Sequence, residues 1–182
     1  IRTLSLDISE EMLLKAKPKI VENGLSDMID LIVCDIESPP LKDNSFDAYI
    51  IYGVLHHISD PNLAIKNASN KLVDSGLFYA LDPHKSPVRF IFDFLMDHIW
   101  KLWDEEASDD PLMTKHQMNL WLSDNSIKSS SRLSTYIPPH FFHFMNLSIG
   151  KNFLKITDSF FRFIPFISNW GGVIITEGKK SN

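Results

Sequence analysis

The chain has 182 residues, of which 44% are hydrophobic, so it is long enough for one globular domain with a buried core. Its net charge of −5 and its scattered cationic residues argue against a nucleic-acid-binding surface. Cys34 is the only cysteine, which excludes a disulfide framework and a thiolate metal site, so we expect no metal and a reducing, cytoplasmic environment. No signal peptide and no apolar run long enough for a membrane span is visible in the sequence.

The first half of the sequence alternates strand and helix signals. In chain order, the predicted elements are a strand at 3–8, a helix from Ser9 to Asn23, strands at 29–35 and 46–52, a helix at 61–73 ended by Ser75-Gly76, and a strand at 76–82. Strands that alternate with helices of this length indicate βαβ units and a parallel sheet.

The second half is less regular. Here we predict a helix at 87–103, an acidic loop at 104–111, a helix at 114–123, a weak strand at 127–136, a helix rich in Phe near 150–164 and a last strand at 173–176. The acidic loop is interpreted as a solvated surface or as a lid over a substrate. The aromatic helix is interpreted as part of the core. Its alternatives are an apolar wall of a substrate pocket or a surface that rests on lipid.

Acidic side chains end the first two strands. Asp7 follows the first strand and Asp35 follows the second. Because open α/β sheets bind ligands at the carboxyl ends of their strands, we expect both acids at one edge. An ionised carboxylate only accepts hydrogen bonds, which suits a ribose diol and an exocyclic amine. The alternatives are a helix-dipole acid at Asp7 and a loop cap at Asp35.

Three segments, in order, resemble a class I S-adenosylmethionine-dependent methyltransferase of the type 11 group. They are Leu6–Leu13, Cys34–Asp47 and Val54–Pro61, with a looser likeness at 172–180. The resemblance implies a Rossmann-like three-layer α/β/α fold, with a mostly parallel sheet and an antiparallel last strand. It also implies a single domain over 1–182, with a cofactor-binding part at 1–83, a lid and substrate region with a helical insertion at 84–170, and the last strand and tail at 171–182.

The resemblance also implies a binding site for S-adenosylmethionine. In that family, one acid binds the ribose hydroxyls, and a second accepts a hydrogen bond from the adenine amine. An apolar residue after each acid packs on the adenine. The turn after the fourth strand lies near the methionine part. The matching cofactor-binding positions are Asp7, Ile8, Asp35, Ile36, Tyr52 and Gly53. The resemblance assigns no catalytic residue. We interpret His56-His57 as structural or close to the substrate, with a catalytic base as the alternative.

The family's first strand and glycine-rich turn precede the position that matches Asp7, and this sequence contains neither. In the family that strand lies between the second and the fourth. The sheet must therefore close a gap, or pair the strand ending at Asp7 directly with the strand ending at Tyr52. We expect this chain to be a C-terminal piece of a longer protein, and a natural remnant is the alternative.

Two functions fit the sequence. The first is methyl transfer from S-adenosylmethionine to an oxygen, nitrogen or carbon of a small-molecule acceptor, with a lipid-like acceptor among the options. Such a transfer depends mainly on proximity and alignment. The second is a non-catalytic, degenerate Rossmann-like scaffold that binds a partner or a lipid surface through its aromatic segment.

Overall fold

The computed structural model describes residues 1–101, 112–141 and 145–181. Strands and helices alternate along most of the chain. The elements are β1 (Thr3–Asp7), α1 (Glu10–Glu22), β2 (Ile29–Val33), β3 (Phe46–Tyr52), α2 (Pro61–Lys71), β4 (Leu72–Pro83), α3 (Pro87–His98), α4 (Lys115–Asp124), β5 (Ile127–Ser134), α5 (Leu147–Phe161) and β6 (Val173–Lys180). Short 3₁₀ turns lie at Leu55–His57, Pro139–Phe141 and Ile167–Asn169. The predicted acidic loop lies outside the described residues, and the helix predicted at 87–103 ends already at His98.

Helix starts follow the local sequence. The Ser9 side chain caps α1 by accepting from the Met12 amide, and the Asp60 carboxylate caps α2 by accepting from the Leu63 amide. Thr114 and Gln117 form a reciprocal capping box at the start of α4. Each cap satisfies an amide that the helix itself leaves unpaired, so these starts could be predicted.

The predicted end of the second helix is wrong, and the last strand, predicted at 173–176, continues to Lys180. Ser75-Gly76 does not end the second helix, because α2 ends at Lys71 and β4 begins directly at Leu72. Ser75 instead has φ of 64° within β4, close to where the register between β3 and β4 shifts. The turn-forming pair thus produces an irregularity inside a strand, since a left-handed residue there bends the strand without ending it.

The strands form two separate sheets. β1 pairs in parallel with β2, and the larger sheet has the order β3-β4-β6-β5. β3 and β4 are parallel, whereas β6 is antiparallel to both of its neighbours, so the last strand is antiparallel as expected. Among the described strands, β1 and β3 are not paired with each other. The direct pairing considered from the sequence is therefore not formed.

The hydrophobic core covers one face of the larger sheet. Helices α2 and α4 pack there through fully buried residues such as Ile65 and Leu122, against Phe78 and Ile174 of the sheet. The opposite face is more open, with Ile50 on β3 exposed. The core therefore fixes β3 and β4, whose carboxyl ends carry part of the candidate site.

The loop after β2 connects the small sheet to the large one. Ile36 packs against the main core. A Glu37 carboxylate oxygen accepts from the Asp60 amide at 2.8 Å, and the Glu37 carbonyl accepts from the Asn67 side chain at 2.8 Å. These contacts hold the end of β2 against the start of α2.

Candidate cofactor-binding site

Asp7 is held in a fixed position at the carboxyl end of β1. Its Oδ1 accepts a hydrogen bond from the Ser9 amide at 2.8 Å. Ser9 in turn caps α1, so the carboxylate lies beside the start of that helix. Short turns of this kind orient an aspartate side chain locally, and the helix start favours its negative charge.

Asp35 has the same local arrangement after β2. Its Oδ1 accepts from the Glu37 amide at 2.8 Å, and the residue is exposed. In the parallel register Asp7 pairs with Val33, and the Cys34 amide donates to the Asp7 carbonyl at 3.0 Å. Asp7 and Asp35 therefore emerge from neighbouring strands at the same edge of the small sheet.

The apolar residues after the two acids differ in exposure. Ile8 is 73% exposed, so its side chain is open to contact with a flat ring. Ile36 is half-buried and packs against the main core. Of the pair, Ile8 is the more accessible to a ligand.

Tyr52 and Gly53 lie at the carboxyl end of β3, in the larger sheet. Tyr52 is exposed, and the Gly53 amide donates to the Leu81 carbonyl at 2.8 Å. Gly53 has φ of 64°, a left-handed conformation that glycine adopts without a steric penalty. The predicted site residues therefore belong to both sheets: Asp7, Ile8 and Asp35 to the smaller one and its loops, and Tyr52 and Gly53 to the larger.

A buried aspartate supports the turn that follows Gly53. Asp82, at the end of β4, is fully buried and accepts from the amides of Leu55 and His56 at 3.3 and 3.2 Å. Its Oδ1 is 2.7 Å from Nδ1 of His56, so that nitrogen carries the proton because a carboxylate only accepts. These partners compensate the burial of the charge.

This buried pair was not predicted from the sequence. Asp82 was visible only as an acid that ends an apolar strand, before Pro83. His56 was considered as a catalytic base, but the structure buries it against Asp82, which favours a supporting role. The sequence feature that indicates such a pair is Asp82 itself, since a carboxylate buried in an apolar strand needs hydrogen-bond donors.

The pKa values of Tyr49 on β3 and of Cys34 after β2 are both raised. Burial, and secondarily Cys34, raises the pKa of Tyr49 to about 12. Burial, and secondarily the Asp35 carboxylate, raises the pKa of the Cys34 thiol. A thiol reacts as its thiolate, so a raised pKa argues against Cys34 as a nucleophile.

Within the three described ranges, no group of three or more His, Cys, Asp or Glu side chains could hold a metal ion. Over the same residues, no helix has the length and apolar character that crossing a membrane requires.

The N-terminal part of the chain is similar to known proteins. Residues 1–80 match a family model described as a methyltransferase domain. The ubiquinone/menaquinone biosynthesis C-methyltransferase UbiE of Rickettsia prowazekii is 39% identical over 88 residues, which are 48% of this chain and 36% of that protein. The UbiE protein of Rickettsia felis is 38% identical over 92 residues, or 50% of this chain and 37% of that protein. The chain thus spans little more than a third of the length of these relatives.

Solved structures show the same fold over the whole chain. The [4+2]-cyclase SpnF superposes with a TM-score of 0.68 at 18% identity, over 100% of this chain and 66% of that one. The YcgJ protein of Bacillus subtilis superposes with a TM-score of 0.65 at 16% identity, over 100% of this chain and 83% of that one. At such identities the likeness establishes the fold.

The fold is therefore the Rossmann-like α/β fold of the class I methyltransferases. Residues 1–80 are similar to the methyltransferase domain that this family model describes, and S-adenosylmethionine is the cofactor that the similarity implies. The recognition made from the three sequence segments, the fold and the cofactor are confirmed.

Proposed function

We propose that the protein transfers a methyl group from S-adenosylmethionine to a small, apolar acceptor in the cytoplasm. The observation that carries this proposal is the pair of acids, Asp7 and Asp35, at one edge of two parallel strands within the methyltransferase-like part.

The residues at this edge suit the nucleoside of the cofactor. The Asp7 carboxylate would accept from the ribose hydroxyls, since its local bond to Ser9 leaves further acceptor capacity on both oxygens. The Asp35 carboxylate would accept from the adenine amine, with Ile8 and Ile36 beside the ring. Charge-assisted bonds to a diol provide geometric specificity as well as affinity.

The remaining predicted site residues would face the reacting part of the cofactor. Tyr52 and Gly53 would lie beside its methionine moiety, in a turn that Asp82 supports from beneath. The cofactor supplies an electrophilic methyl group on a sulfonium when it is bound. The chain would contribute mainly orientation and the exclusion of water, because transfer from a sulfonium needs little acid-base help.

The apolar character of the acceptor rests on two observations. The relatives from Rickettsia are C-methyltransferases named for ubiquinone and menaquinone biosynthesis. The region 84–170, which we assign to the lid and the acceptor, exposes large apolar side chains on α3, among them Phe90, Ile91 and Phe94. We therefore propose an apolar, quinone-like acceptor and a carbon atom as the methylated position.

Calorimetry of S-adenosylmethionine binding to the full-length protein tests the site. Asp7→Asn retains an oxygen that can accept from Ser9 but loses the charge. We expect the affinity to fall about 10- to 100-fold, as for a lost hydrogen bond to a charged group. Asp30→Asn is the matched control, because Asp30 is an exposed acid within β2 that pairs with Arg2, and its affinity should equal that of the wild type. Unchanged affinity in both Asp7→Asn and Asp35→Asn would overturn the assignment.

A further inference from the structure

Helix α5 and the turn after it expose large apolar side chains along one face. We call this row the α5 stripe, and it consists of Ile149, Ile156, Phe160 and Phe163, which are 58%, 68%, 63% and 79% exposed. Their helical spacing places them on one face. A row of this kind is informative because large apolar side chains seldom stay together in water without a partner.

The structure fixes the stripe on the outer side of α5. On the inner side, the Asp158 carboxylate accepts from the Ser134 hydroxyl, from the Thr135 amide at 2.9 Å and from the Tyr136 amide at 3.4 Å. Phe161 packs against the main core. The helix therefore cannot rotate to bury the stripe without breaking these contacts.

Positive charge lies next to the C-terminal half of the stripe. The exposed Lys155 lies beside Ile156 and Phe160 at the surface, and the exposed Arg162 guanidinium lies 5.5 Å from the centre of the Phe163 ring. Lys151 is exposed one turn before Lys155. Asp158 is the only acid between residues 145 and 170, and its carboxylate is engaged on the inner side. Among the described residues, no acidic side chain forms an ion pair with these three cations. This surface is therefore locally cationic on a chain whose net charge is −5.

Three residues of the stripe, Ile156, Phe160 and Phe163, line a shallow, open depression together with Ile164, Ser159 and Lys155. A cation therefore lies among apolar side chains on this surface. This combination suits the boundary between lipid headgroups and acyl chains.

We propose that the α5 stripe docks on an anionic lipid surface. Its apolar side chains would enter the boundary between headgroups and acyl chains, while Lys151, Lys155 and Arg162 contact the phosphates. Helices of this composition lie in the plane of a membrane interface, and their affinity combines buried apolar area with attraction to anionic lipids. The inference does not depend on the proposed methyl transfer.

Charge argues against a second copy of this chain as the occupant. Two copies that meet through the same stripe would bring their own cations together, and like charges across an interface oppose association. An anionic surface instead complements them.

Vesicle flotation of the full-length protein, without cofactor, tests the proposal. The probes are vesicles of phosphatidylcholine alone and vesicles in which about a third of the lipid is phosphatidylglycerol. We expect the wild type to bind the anionic vesicles far more tightly, and added salt to weaken this binding. Replacing the cations in Lys151→Gln/Lys155→Gln/Arg162→Gln should lower the affinity for anionic vesicles on the order of a hundredfold. The variant Phe160→Ser/Phe163→Ser should lower binding at least about tenfold, because the apolar area entering the interface is lost.

Leu14→Ser/Val21→Ser on α1 is the matched control. It also removes two exposed apolar residues from a helix, but α1 carries charges of both signs. This variant should bind the vesicles like the wild type. The proposal is overturned if the wild type binds both vesicle types equally. It is also overturned if the cation variant and the Phe160→Ser/Phe163→Ser variant both bind anionic vesicles as tightly as the wild type. Sedimentation without vesicles tests the alternative occupant. If the wild type is a dimer and Phe160→Ser/Phe163→Ser is a monomer, the stripe binds a second copy of the chain and the proposal is overturned.

Discussion

The two sheets of this protein differ in what stabilises them. The larger sheet packs on a core of fully buried side chains, including Leu55, Phe78 and Leu122. The strands β1 and β2 carry only partly buried or exposed residues. In α1, the helix that connects them, Leu13 is buried. The acids predicted to bind the nucleoside therefore lie on the part with the smaller core.

This difference suggests that the smaller sheet depends on the larger one. Ligand-binding segments often belong to the less stable parts of a fold. Here the connection runs through Ile36, Glu37 and Asn67. Three predictions test the comparison, in order of decreasing effect.

Removing the buried carboxylate of the larger sheet should have the largest effect. Asp82→Ala leaves the amides of Leu55 and His56, and Nδ1 of His56, without their acceptor. We expect the free energy of unfolding in urea to fall by about 3–5 kcal/mol, as when one partner of a buried pair is removed. Asp47→Ala on β3 is the control, because Asp47 is exposed, and its effect should stay within about 0.5 kcal/mol. Similar values for both variants would show that the buried pair is not a support.

Cutting the connection between the sheets should have an intermediate and local effect. Asn67→Ala removes the donor to the Glu37 carbonyl, a partly buried hydrogen bond, at a cost of about 1 kcal/mol. Amide hydrogen exchange should become faster at Asp30 and Ile32 of β2, whose amides face β1, and remain unchanged at Phe78 and Ala80 of β4.

The matched control for the connection is Asn70→Ala, an exposed position on the same helix. It should leave exchange in both sheets as in the wild type. Equal acceleration in β2 and β4 by Asn67→Ala would mean that the two sheets open together, contrary to the comparison.

The smallest effect should be a pH dependence at the end of β4. Burial, and more weakly Lys115, lowers the pKa of His84, although its Nδ1 donates to the Gly171 carbonyl at 2.8 Å. The pKa of His84 in the folded state therefore lies below the unfolded value of about 6.5. The stabilisation from neutral His84 is present above about pH 6.5, and it is lost as the pH falls through the folded-state pKa. Urea unfolding should therefore show a shallower decline from about pH 7.5 to about pH 5 in His84→Gln than in the wild type. Parallel declines would remove His84 as a source of the pH dependence.

The sequence determined the features that depend on neighbouring residues. Ser9, Asp60 and Thr114 cap helices at the predicted starts, because each bond joins residues a few positions apart. The strand ends at Asp7 and Asp35 could be placed from the sequence for the same reason, and their parallel pairing puts both acids at one edge. Their role in cofactor binding stays a prediction.

The tertiary structure alone decided the features that join distant segments. Asp82 and His56 are far apart in sequence, so no local pattern could pair them. Ser75-Gly76 was wrongly predicted to end a helix, because the pair forms an irregularity inside β4, between the pairing of Leu72 with Phe46 and that of Leu77 with Ala48. The periodicity of α5 predicted an apolar face, but contacts of Asp158 with the end of β5 decided that Phe160 and Phe163 point to solvent. Hydrogen bonds and burial between segments depend on which surfaces meet, and that is fixed only when the chain is folded.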